Sequence, residues 1–411
     1  MKKISQDTKK QTALNAREKK ASIGEDIDIS QFTSQQENGS ELQKLEDVGE
    51  DFKKILINVG VDTQQKERSG TYIQEGNRVV FCQTKSDKVE VLPIAVALEK
   101  YSWVKNYYWN AVKVDTDKYT AEAELTDNLQ GYFIHAKKGA KGIYPLQSCL
   151  YLNIEGFKQV VHNIIIADED SELNLITGCT VHPNVHKALH LGISEFYLKK
   201  NSKITFTMIH YWSDQSDVRP RTGIVQEEGS EYVSNYIIMS EVKSLQSNPI
   251  AYLEGDNTKA YFQALVYGKK DSHIDVGSRA MLNGKNSKAE MISRVIGTDA
   301  SKVIARGLIV GNAENAVGHL ECQGLLLSPN ARIDSIPEIN AIHPNVSMTH
   351  EAAIGRIAEE QILYLMSRGL NETEARDLII GGFLEADTSH LPKELAEETQ
   401  KLIEIASKAE V

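Results

Sequence analysis

The sequence lacks the motifs of the common nucleotide-binding and hydrolytic enzymes. Its 411 residues contain no GxxxxGKS or GxxxxGKT phosphate loop and no GxGxxG segment. The GxSxG motif of α/β-hydrolases is also absent. His350 and Glu351 do not form a zincin motif, because Ile354 stands where HExxH requires a second histidine. The sequence therefore predicts a protein that is not an enzyme. If its function needs ATP hydrolysis, we expect another subunit to supply it.

Cysteine is scarce, and long apolar segments are missing. The four cysteines, at positions 82, 149, 179 and 322, include no CxxC pair, so neither a disulfide framework nor a CxxC metal site is expected. No apolar run approaches the roughly 20 residues that cross a bilayer. The basic N-terminal stretch lacks the apolar region of a secretory signal. We therefore expect a cytoplasmic protein with no membrane partner.

Positive charge is outnumbered by negative charge. The chain has 46 lysines and arginines against 57 aspartates and glutamates, which gives a formal net charge of −11. This balance disfavours sequence-independent binding to nucleic acid, which needs a basic surface. A hydrophobic content of 41% and a charged content of 25% are ordinary for a globular protein, and the length allows two or three domains.

Short β-rich runs separated by polar turns begin near residue 132. In the later half of the chain the turns recur roughly every 14 to 17 residues, a period typical of solenoids. Units this short cannot hold a βαβ crossover, and a coil of stacked strands fits them better than a sandwich. The turn spacing is interrupted between Trp212 and Tyr252, and the pattern does not predict how this segment relates to the solenoid. The sequence therefore predicts a mostly β chain built on a β-helix, with turns at Asp170-Ser171, Asn201-Ser202, Asn257-Thr258, Asp271-Ser272, Asn286-Ser287, Asp299, Asn312 to Asn315 and Asn330.

Helical patterns flank the β-rich part. Before it, apolar residues recur at helical spacing over 41–59 and 94–110, and the basic N-terminus is expected to form a solvated arm. The sequence thus divides into three predicted domains. These are an N-terminal helical or mixed region with a flexible basic arm (1–130), the β-helix core (131–340) and a C-terminal helical domain (341–411).

The C-terminal domain is predicted to contain three short helices. The first is expected to start near His350 and to end before Gly369, a C′ glycine. The second is expected to start at Asn371, with Glu374 completing a capping box. The third is expected after Leu391.

The junction between the β-rich part and the helical tail concentrates possible metal ligands. Cys322 lies on a predicted strand, and His350 and Glu351 lie at the predicted helix start. Thiolate, imidazole and carboxylate are ligands for iron and other transition metals. Each residue also has a purely structural explanation: a cysteine packs as a small buried residue, and a glutamate in a first helical turn is favoured by the helix dipole.

Several segments in this order resemble the SufB/SufD family, whose members are scaffolds for iron–sulfur cluster assembly and partner an ABC-type ATPase, SufC. The strongest segments are HLECQGLLLS, IPEI and THEAAIGRIAEEQILYLMSRGL, between residues 319 and 370. Upstream, EDIDISQF (25–32), GYFIHAKKGAKGIYPLQ (131–147) and IIIADEDSELNLITGC (164–179) agree. The resemblance implies a right-handed parallel β-helix, and it covers most of the chain.

The resemblance also implies the site. Cys322 is similar in position to the cysteine of SufB proteins, and His350-Glu351 resembles their His-Glu-Ala-Thr segment, while SufD proteins carry a histidine followed by glycine. These three residues are therefore expected to bind a transient iron–sulfur cluster at a dimer interface. The partner would be a second copy of the chain or a SufD-like chain. A SufC-like ATPase would bind the C-terminal helices, around 363–384, and acceptor apoproteins would receive the cluster.

The sequence departs from the SufB pattern at three places. Ala353 stands where SufB proteins usually have threonine, Ala331 occupies the place of a second cysteine, and no cysteine lies near Pro249. These departures put a relay of sulfur between thiols in doubt. Cys179 matches a Gly-Cys step of the family and is the alternative position for a functional thiol.

Two other functions compete with the scaffold. The first is a β-helix adaptor that binds the ATPase and carries no cluster. The second is a carbohydrate-active β-helix enzyme, which needs paired carboxylates in a groove and usually an exported chain. Tryptophan is scarce in the predicted solenoid, where Trp212 stands alone, and this disfavours a sugar-binding groove.

Overall fold

A computed structural model describes residues 6–35, 42–142, 144–384, 397 and 400. Most of them belong to a β-solenoid of about 8 turns, and strands account for 46% of the structure. The prediction of a mostly β chain, with a parallel β-helix core and helices towards both termini, is confirmed.

The chain forms 21 strands and six α-helices over the described residues, with short 3-10 turns at Ile29–Gln31, Leu45–Asp47 and Ser102–Asn106. The helices are α1 (Gln6–Ala16), α2 (Glu50–Asn58), α3 (Ile94–Lys100), α4 (Lys118–Leu125), α5 (Glu359–Ser367) and α6 (Glu372–Phe383). The strands are β1 (Gly70–Glu75), β2 (Arg78–Thr84), β3 (Val89–Pro93), β4 (Tyr132–Ala136), β5 (Leu146–Leu152), β6 (Phe157–Ala167), β7 (Glu172–Val181), β8 (Lys187–Leu198), β9 (Lys203–Tyr211), β10 (Gln215–Val218), β11 (Arg221–Gln226), β12 (Glu231–Ile238), β13 (Ser244–Ser247), β14 (Ile250–Leu253), β15 (Lys259–Gly268), β16 (His273–Leu282), β17 (Lys288–Gly297), β18 (Lys302–Gly311), β19 (Ala316–Leu326), β20 (Arg332–Ala341) and β21 (Val346–Arg356).

Two long sheets enclose the solenoid interior. Sheet I has the strand order β2-β1-β5-β7-β9-β12-β15-β17-β19-β21, and sheet II contains the other strands. In sheet I, Lys259 pairs with Lys288 and Lys288 pairs with Val317, so one coil takes 29 residues. Because each coil contributes a strand to both sheets, the turn spacing seen in the sequence corresponds to half a coil.

The segment that the sequence pattern left unplaced is part of the solenoid. Pro220 separates β10 from β11, and both of these strands pair with β8. Pro249 separates β13 from β14, and both pair with β16. Proline has no N–H to donate to a ladder, so at these two places two short strands replace one long strand of sheet II while the coil continues.

The predicted turns form the corners of the coils. Asn257, Asn286 and Asn315 have φ angles of 59°, 56° and 58°, in the left-handed region that asparagine tolerates. Their side chains stack along the solenoid: Asn286 Nδ2 donates to Asn257 Oδ1 over 3.2 Å, and Asn315 Nδ2 donates to Asn286 Oδ1 over 3.2 Å. The corner residues therefore terminate the strands and also join neighbouring coils.

The N-terminal region covers part of sheet II. Helix α1 packs against α4 and buries Ala13 and Ala16, so residues 6–16 are docked on the body of the protein and not a solvated arm. The helix predicted over 94–110 is shorter than expected, since α3 ends at Lys100 and a 3-10 turn follows. The pattern over 41–59 yields α2 and a 3-10 turn before it.

The two ends of the solenoid differ. At the N-terminal end, β2 pairs antiparallel with β1, and β3 pairs antiparallel with β4. At the C-terminal end, β20 and β21 are the last strands of their sheets, and within the described residues neither has a ladder on its outer edge. The C-terminal end therefore presents free strand edges.

The predicted start of the first C-terminal helix near His350 is wrong. Strand β21 continues to Arg356, and α5 begins only at Glu359. Eleven residue pairs with β19 explain the difference, because a complete ladder outweighs the local helix preference of this segment.

The second C-terminal helix is as predicted. Asn371 caps α6 and forms a capping box with Glu374, and Gly369, with a φ of 101°, follows α5. The third predicted helix falls almost entirely outside the described residues. No helix of the described ranges is both long enough and apolar enough to span a bilayer.

Candidate functional site

Cys322 lies in the middle of β19, near the free end of the solenoid. It pairs with Ser293 of β17 on one side and with Ala352 of β21 on the other. Its side chain is 8% exposed and belongs to the apolar interior, because it follows the alternation that also buries Leu320. The thiol therefore faces inward, between the two sheets.

A small cleft of about 20 Å³ opens beside this thiol, which is about the room that one water molecule needs. Both sheets contribute to it, and its lining combines apolar, hydroxyl and thiol groups with one guanidinium and two carboxylates. The lining residues are Met291, Ser293, Ala305, Arg306, Gly307, Leu320, Glu321, Cys322, Ser335, Pro337 and Glu351. The cleft is therefore a place where a single atom can reach Cys322.

The surroundings of Cys322 keep its thiol protonated. Burial raises the pKa of the thiol above its usual value; the nearby Ser335 hydroxyl opposes this rise, and the negative charge of Glu321 adds to it. A bound cation reverses this preference, because a thiol that coordinates a metal loses its proton. Without a bound metal, the Cys322 thiol is therefore protonated at neutral pH.

The other two predicted ligands lie on β21 and are exposed. His350 is the ladder partner of Leu320, and Glu351 is the partner of Glu321. Paired residues of a parallel ladder point to the same face of a sheet, and neighbours along a strand point to opposite faces. The register therefore places His350 on the face that bears Cys322, and it places Glu351 on the outer face, although Glu351 borders the cleft.

The described residues contain no group of three or more histidine, cysteine, aspartate or glutamate side chains that could hold a metal ion. The pairing register agrees with this, since it separates Glu351 from Cys322 across the sheet. Within the described part of one chain, the three predicted ligands therefore do not form a complete metal site.

A polar network covers the outer face of sheet I at the same level. Arg294 donates to Gln323 over 2.8 Å, and Gln323 donates to Glu321 over 2.8 Å. His319 Nδ1 lies 2.8 Å from the hydroxyl of Thr349. The network holds Glu321, and the ladder pairs this residue with Glu351, so two carboxylates lie side by side on this face.

Cys179, the alternative thiol, is distant from Cys322. It is fully buried on β7, with its sulfur 3.6 Å from the sulfur of Met208, and burial raises the pKa of its thiol. Five strand spacings of sheet I separate β7 from β19, which amounts to roughly 24 Å. The two thiols therefore cannot bind the same cluster in one chain.

Sequence reasoning missed the two serines of the cleft. Ser335 comes from β20 of sheet II and lines the cleft beside Cys322. The available signal was the alternation of the segment from Ile333 to Ile339, which places Ser335 inward together with these isoleucines. The meeting of Ser335 with Cys322 depends on how the two sheets face each other, which the alternation does not define.

Helices α5 and α6 pack against each other beside the end of sheet I. Ile362 and Ala375 are buried, whereas Leu363 and Leu378 are 56% and 57% exposed. Tyr364 is exposed as well. The helix pair therefore has an inner apolar face that is covered and an outer face that carries apolar side chains in solvent.

Comparisons with known proteins identify the family of this chain. The family model for the SufBD core domain of the SUF system for FeS cluster assembly matches residues 151–383. An iron–sulfur cluster assembly SufBD family protein of Methanothermobacter thermautotrophicus is 46% identical over 400 residues, which cover 96% of this chain and 98% of that protein. A SufBD family protein of Archaeoglobus fulgidus is 49% identical over 357 residues, covering 87% of this chain and 95% of that protein.

A more distant relative carries a specific name. The iron–sulfur cluster assembly protein SufB of Bacillus subtilis is 29% identical over 368 residues, which cover 87% of this chain and 78% of that protein. The family model spans more than half of the chain, and the archaeal relatives align along nearly all of it. This chain therefore belongs to the SufBD family of iron–sulfur cluster assembly proteins.

Proposed function

We propose that this chain is a scaffold subunit of a SUF system, on which a nascent iron–sulfur cluster binds transiently through Cys322, His350 and Glu351. The observation that carries the proposal is the position of Cys322, beside a cleft at the free end of the solenoid. The cluster is the cargo of this protein, and the chain acts by coordination and not by turnover of a substrate. Mixed thiolate, imidazole and carboxylate ligation suits a cluster that is passed on to acceptor apoproteins.

A dimer would complete the site. Among the described residues, no strand pairs with the outer edge of β21 along its eleven residues, and such an edge favours pairing with another strand. Ile342 and Ile354 are exposed near the same end. A second copy of the chain, or a SufD-like chain, would cover this end and supply the ligands that the described part of one chain does not bring together.

The outer face of α5 and α6 is our candidate surface for a SufC-like ABC ATPase. It lies within 363–384 and carries exposed leucines beside charged residues. The chain has no phosphate loop of its own, so a nucleotide cycle has to come from such a partner. Because α5 follows directly on β21, movement of the helix pair would reach the proposed cluster site.

The remaining assignments are also proposals. The composition supports a cytoplasmic protein that binds neither membranes nor nucleic acid. The division at residues 131 and 341 separates regions of different composition, although β1 to β3 precede the first boundary and β21 follows the second.

The proposal predicts that iron–sulfur loading depends on Cys322. Wild type, Cys322→Ser and the control Cys82→Ser are reconstituted anaerobically with ferrous iron and sulfide, with and without the ATPase. We expect the thiolate-to-iron absorption in wild type and Cys82→Ser and at least a 10-fold lower yield in Cys322→Ser, since a metal site depends on its first ligands. Cys82 is a suitable control because it lies on β2, at the opposite end of sheet I.

Two results would contradict the proposal. Equal absorption in wild type and Cys322→Ser would show that Cys322 only packs the interior. Binding of the ATPase without any iron–sulfur absorption in wild type would favour the adaptor function, for which the exposed face of α5 and α6 is the supporting observation.

A further inference from the structure

An apolar stripe runs along the outer face of sheet I. It is one cluster of buried side chains that extends from Leu56 of α2 to Leu384, the residue after α6. In the middle of the stripe, Ile237 of β12 and Leu265 of β15 are ladder partners that are 0% and 1% exposed. Both alternate along their strands with side chains of the solenoid interior, so they face away from it. The middle of this outer face is therefore covered.

Helix α2 covers the stripe near its N-terminal end. The ring centroids of Phe52 and Tyr151 of β5 are 4.7 Å apart. Val59, which follows the helix, packs on Gly178 of β7, where a Cβ would approach Val59 Cγ2 to 2.4 Å. Strands β12 and β15 lie two and three places beyond β7 in the sheet, which is roughly 10 and 14 Å. These contacts of α2 therefore lie short of Ile237 and Leu265.

The chain beyond the described ranges offers one long segment that could cover this face. Residues 36–41 are few and all polar, and residues 1–5 precede α1, which packs against α4 over sheet II. The 27 residues 385–411 follow Leu384, which is 4% exposed and belongs to the same apolar cluster. The chain thus enters this segment at the stripe itself.

The sequence of this segment has one apolar side at helical spacing. Four apolar residues, spaced 4, 7 and 3 apart, fall on this side: Leu391, Leu395, Leu402 and Ile405. Glu397 falls on the opposite side, and this residue is helical and exposed. Ten helical residues span about 15 Å, so the segment is long enough to cross several strands of sheet I.

We propose that the C-terminal segment 385–411 folds back over the outer face of sheet I as an amphipathic helix, with its apolar side against Ile237 and Leu265. The occupant of this face is then part of the same chain. The contact fastens α6, and with it the α5–α6 surface, to the solenoid. It is independent of the proposed cluster site, because Cys322 takes no part in it.

The test places single cysteines on the two sides of the segment in the full-length protein. Leu395→Cys and Leu402→Cys report the apolar side, and Gln400→Cys and Ser407→Cys report the opposite side. Iodoacetamide labels the folded protein, and mass spectrometry of its peptides measures the rate at each position separately from the four native cysteines. Each side is the control for the other.

We expect labelling at positions 395 and 402 to be about 10-fold slower than at 400 and 407, because a packed side chain reacts only when its segment opens. Leu265→Ala, added to Leu402→Cys, should speed the labelling about 10-fold, since it removes packing from the face. Val317→Ala, at an exposed position of β19 in the same sheet, should leave the rate unchanged. The urea midpoint of each variant checks that the solenoid is folded.

Three outcomes overturn the inference. Equal labelling on the two sides would show that the segment does not pack as an amphipathic helix. Slow labelling of Leu402→Cys that Leu265→Ala does not change would place the segment elsewhere. Protection that is lost on dilution would assign the face to a second copy of the chain. None of these results concerns iron–sulfur loading at Cys322, so they are distinct from a failure of the proposed function.

Discussion

Glu195 is expected to hold the N-terminal region on the solenoid through a cradle of backbone amides. Its carboxylate, on β8, is fully buried. Oε1 accepts from the N–H groups of Asn110, Ala111 and Val112 over 2.7, 2.6 and 3.0 Å. Oε2 accepts from the N–H of Trp109 over 2.7 Å and lies 2.8 Å from Nε2 of His162.

The substitution Glu195→Gln tests this cradle with almost no change in shape. If the amide oxygen stays on Asn110 to Val112, the new NH2 group faces the N–H of Trp109, donor against donor. A hydrogen bond to a charged group contributes about 1.5–3 kcal/mol, and a buried donor without a partner costs about 1–3 kcal/mol. Because these contributions overlap, we expect the free energy of unfolding to fall by about 3 kcal/mol.

Urea unfolding of wild type, Glu195→Gln and Glu228→Gln measures the effect. Glu228 is an exposed carboxylate that pairs with Lys200 over 2.9 Å, and the loss of such a surface pair costs less than about 1 kcal/mol. If Glu195→Gln unfolds at the same urea concentration as Glu228→Gln, the cradle does not stabilise the protein and the reasoning is refuted.

Two further predictions concern acid stability and partner binding. Burial lowers the pKa of His190 to about 4 and that of His210 to about 3, so unfolding takes up protons between these values and the ordinary pKa near 6.5. The free energy of unfolding is therefore highest above pH 6.5, and at pH 5 it is lower by about 2 kcal/mol for each histidine. If the urea midpoint of unfolding does not change from pH 7 to pH 5, this prediction is wrong. The double variant Leu363→Glu, Leu378→Glu should weaken binding of the ATPase at least 10-fold in a pull-down titration, whereas Val96→Glu, an exposed change on α3, should not; equal effects would refute the α5–α6 surface.

The free end of the solenoid could be predicted only in part. The sequence indicated Cys322 on a strand and ligand-type residues at the junction that follows, and the register now places Cys322 between Ser293 and Ala352. The sequence did not indicate that β21 carries His350, because alanines and a regular apolar spacing also favour a helix there. Ladder pairing with β19 decides this segment, and such pairing depends on a strand that is distant in the chain.

The segment from Trp212 to Tyr252, where the turn spacing is interrupted, was also only partly predictable from the sequence. Pro220 and Pro249 are visible in the sequence as strand breakers, but their effect on the fold is not. Only the pairing of β10 and β11 with one long strand, β8, shows that the coil continues through the break. The prolines thus predict where a strand ends, but only the pairing with the neighbouring coil shows that a second short strand follows.

The sequence by itself determined the local features of this protein. These are the turn residues such as Asn257 and Asn286, the capping box of Asn371 and Glu374, and the family motifs around Cys322. Each depends on the conformational preference or hydrogen bonding of a few adjacent residues, so it can be predicted without the tertiary structure. The tertiary structure alone decided that Ser335 lines the cleft beside Cys322, that Glu351 borders this cleft from the opposite face of sheet I, and that within the described residues no strand pairs with the outer edges of β20 and β21. These features depend on pairing between strands about 30 residues apart, whose register is set by the packing of the whole interior.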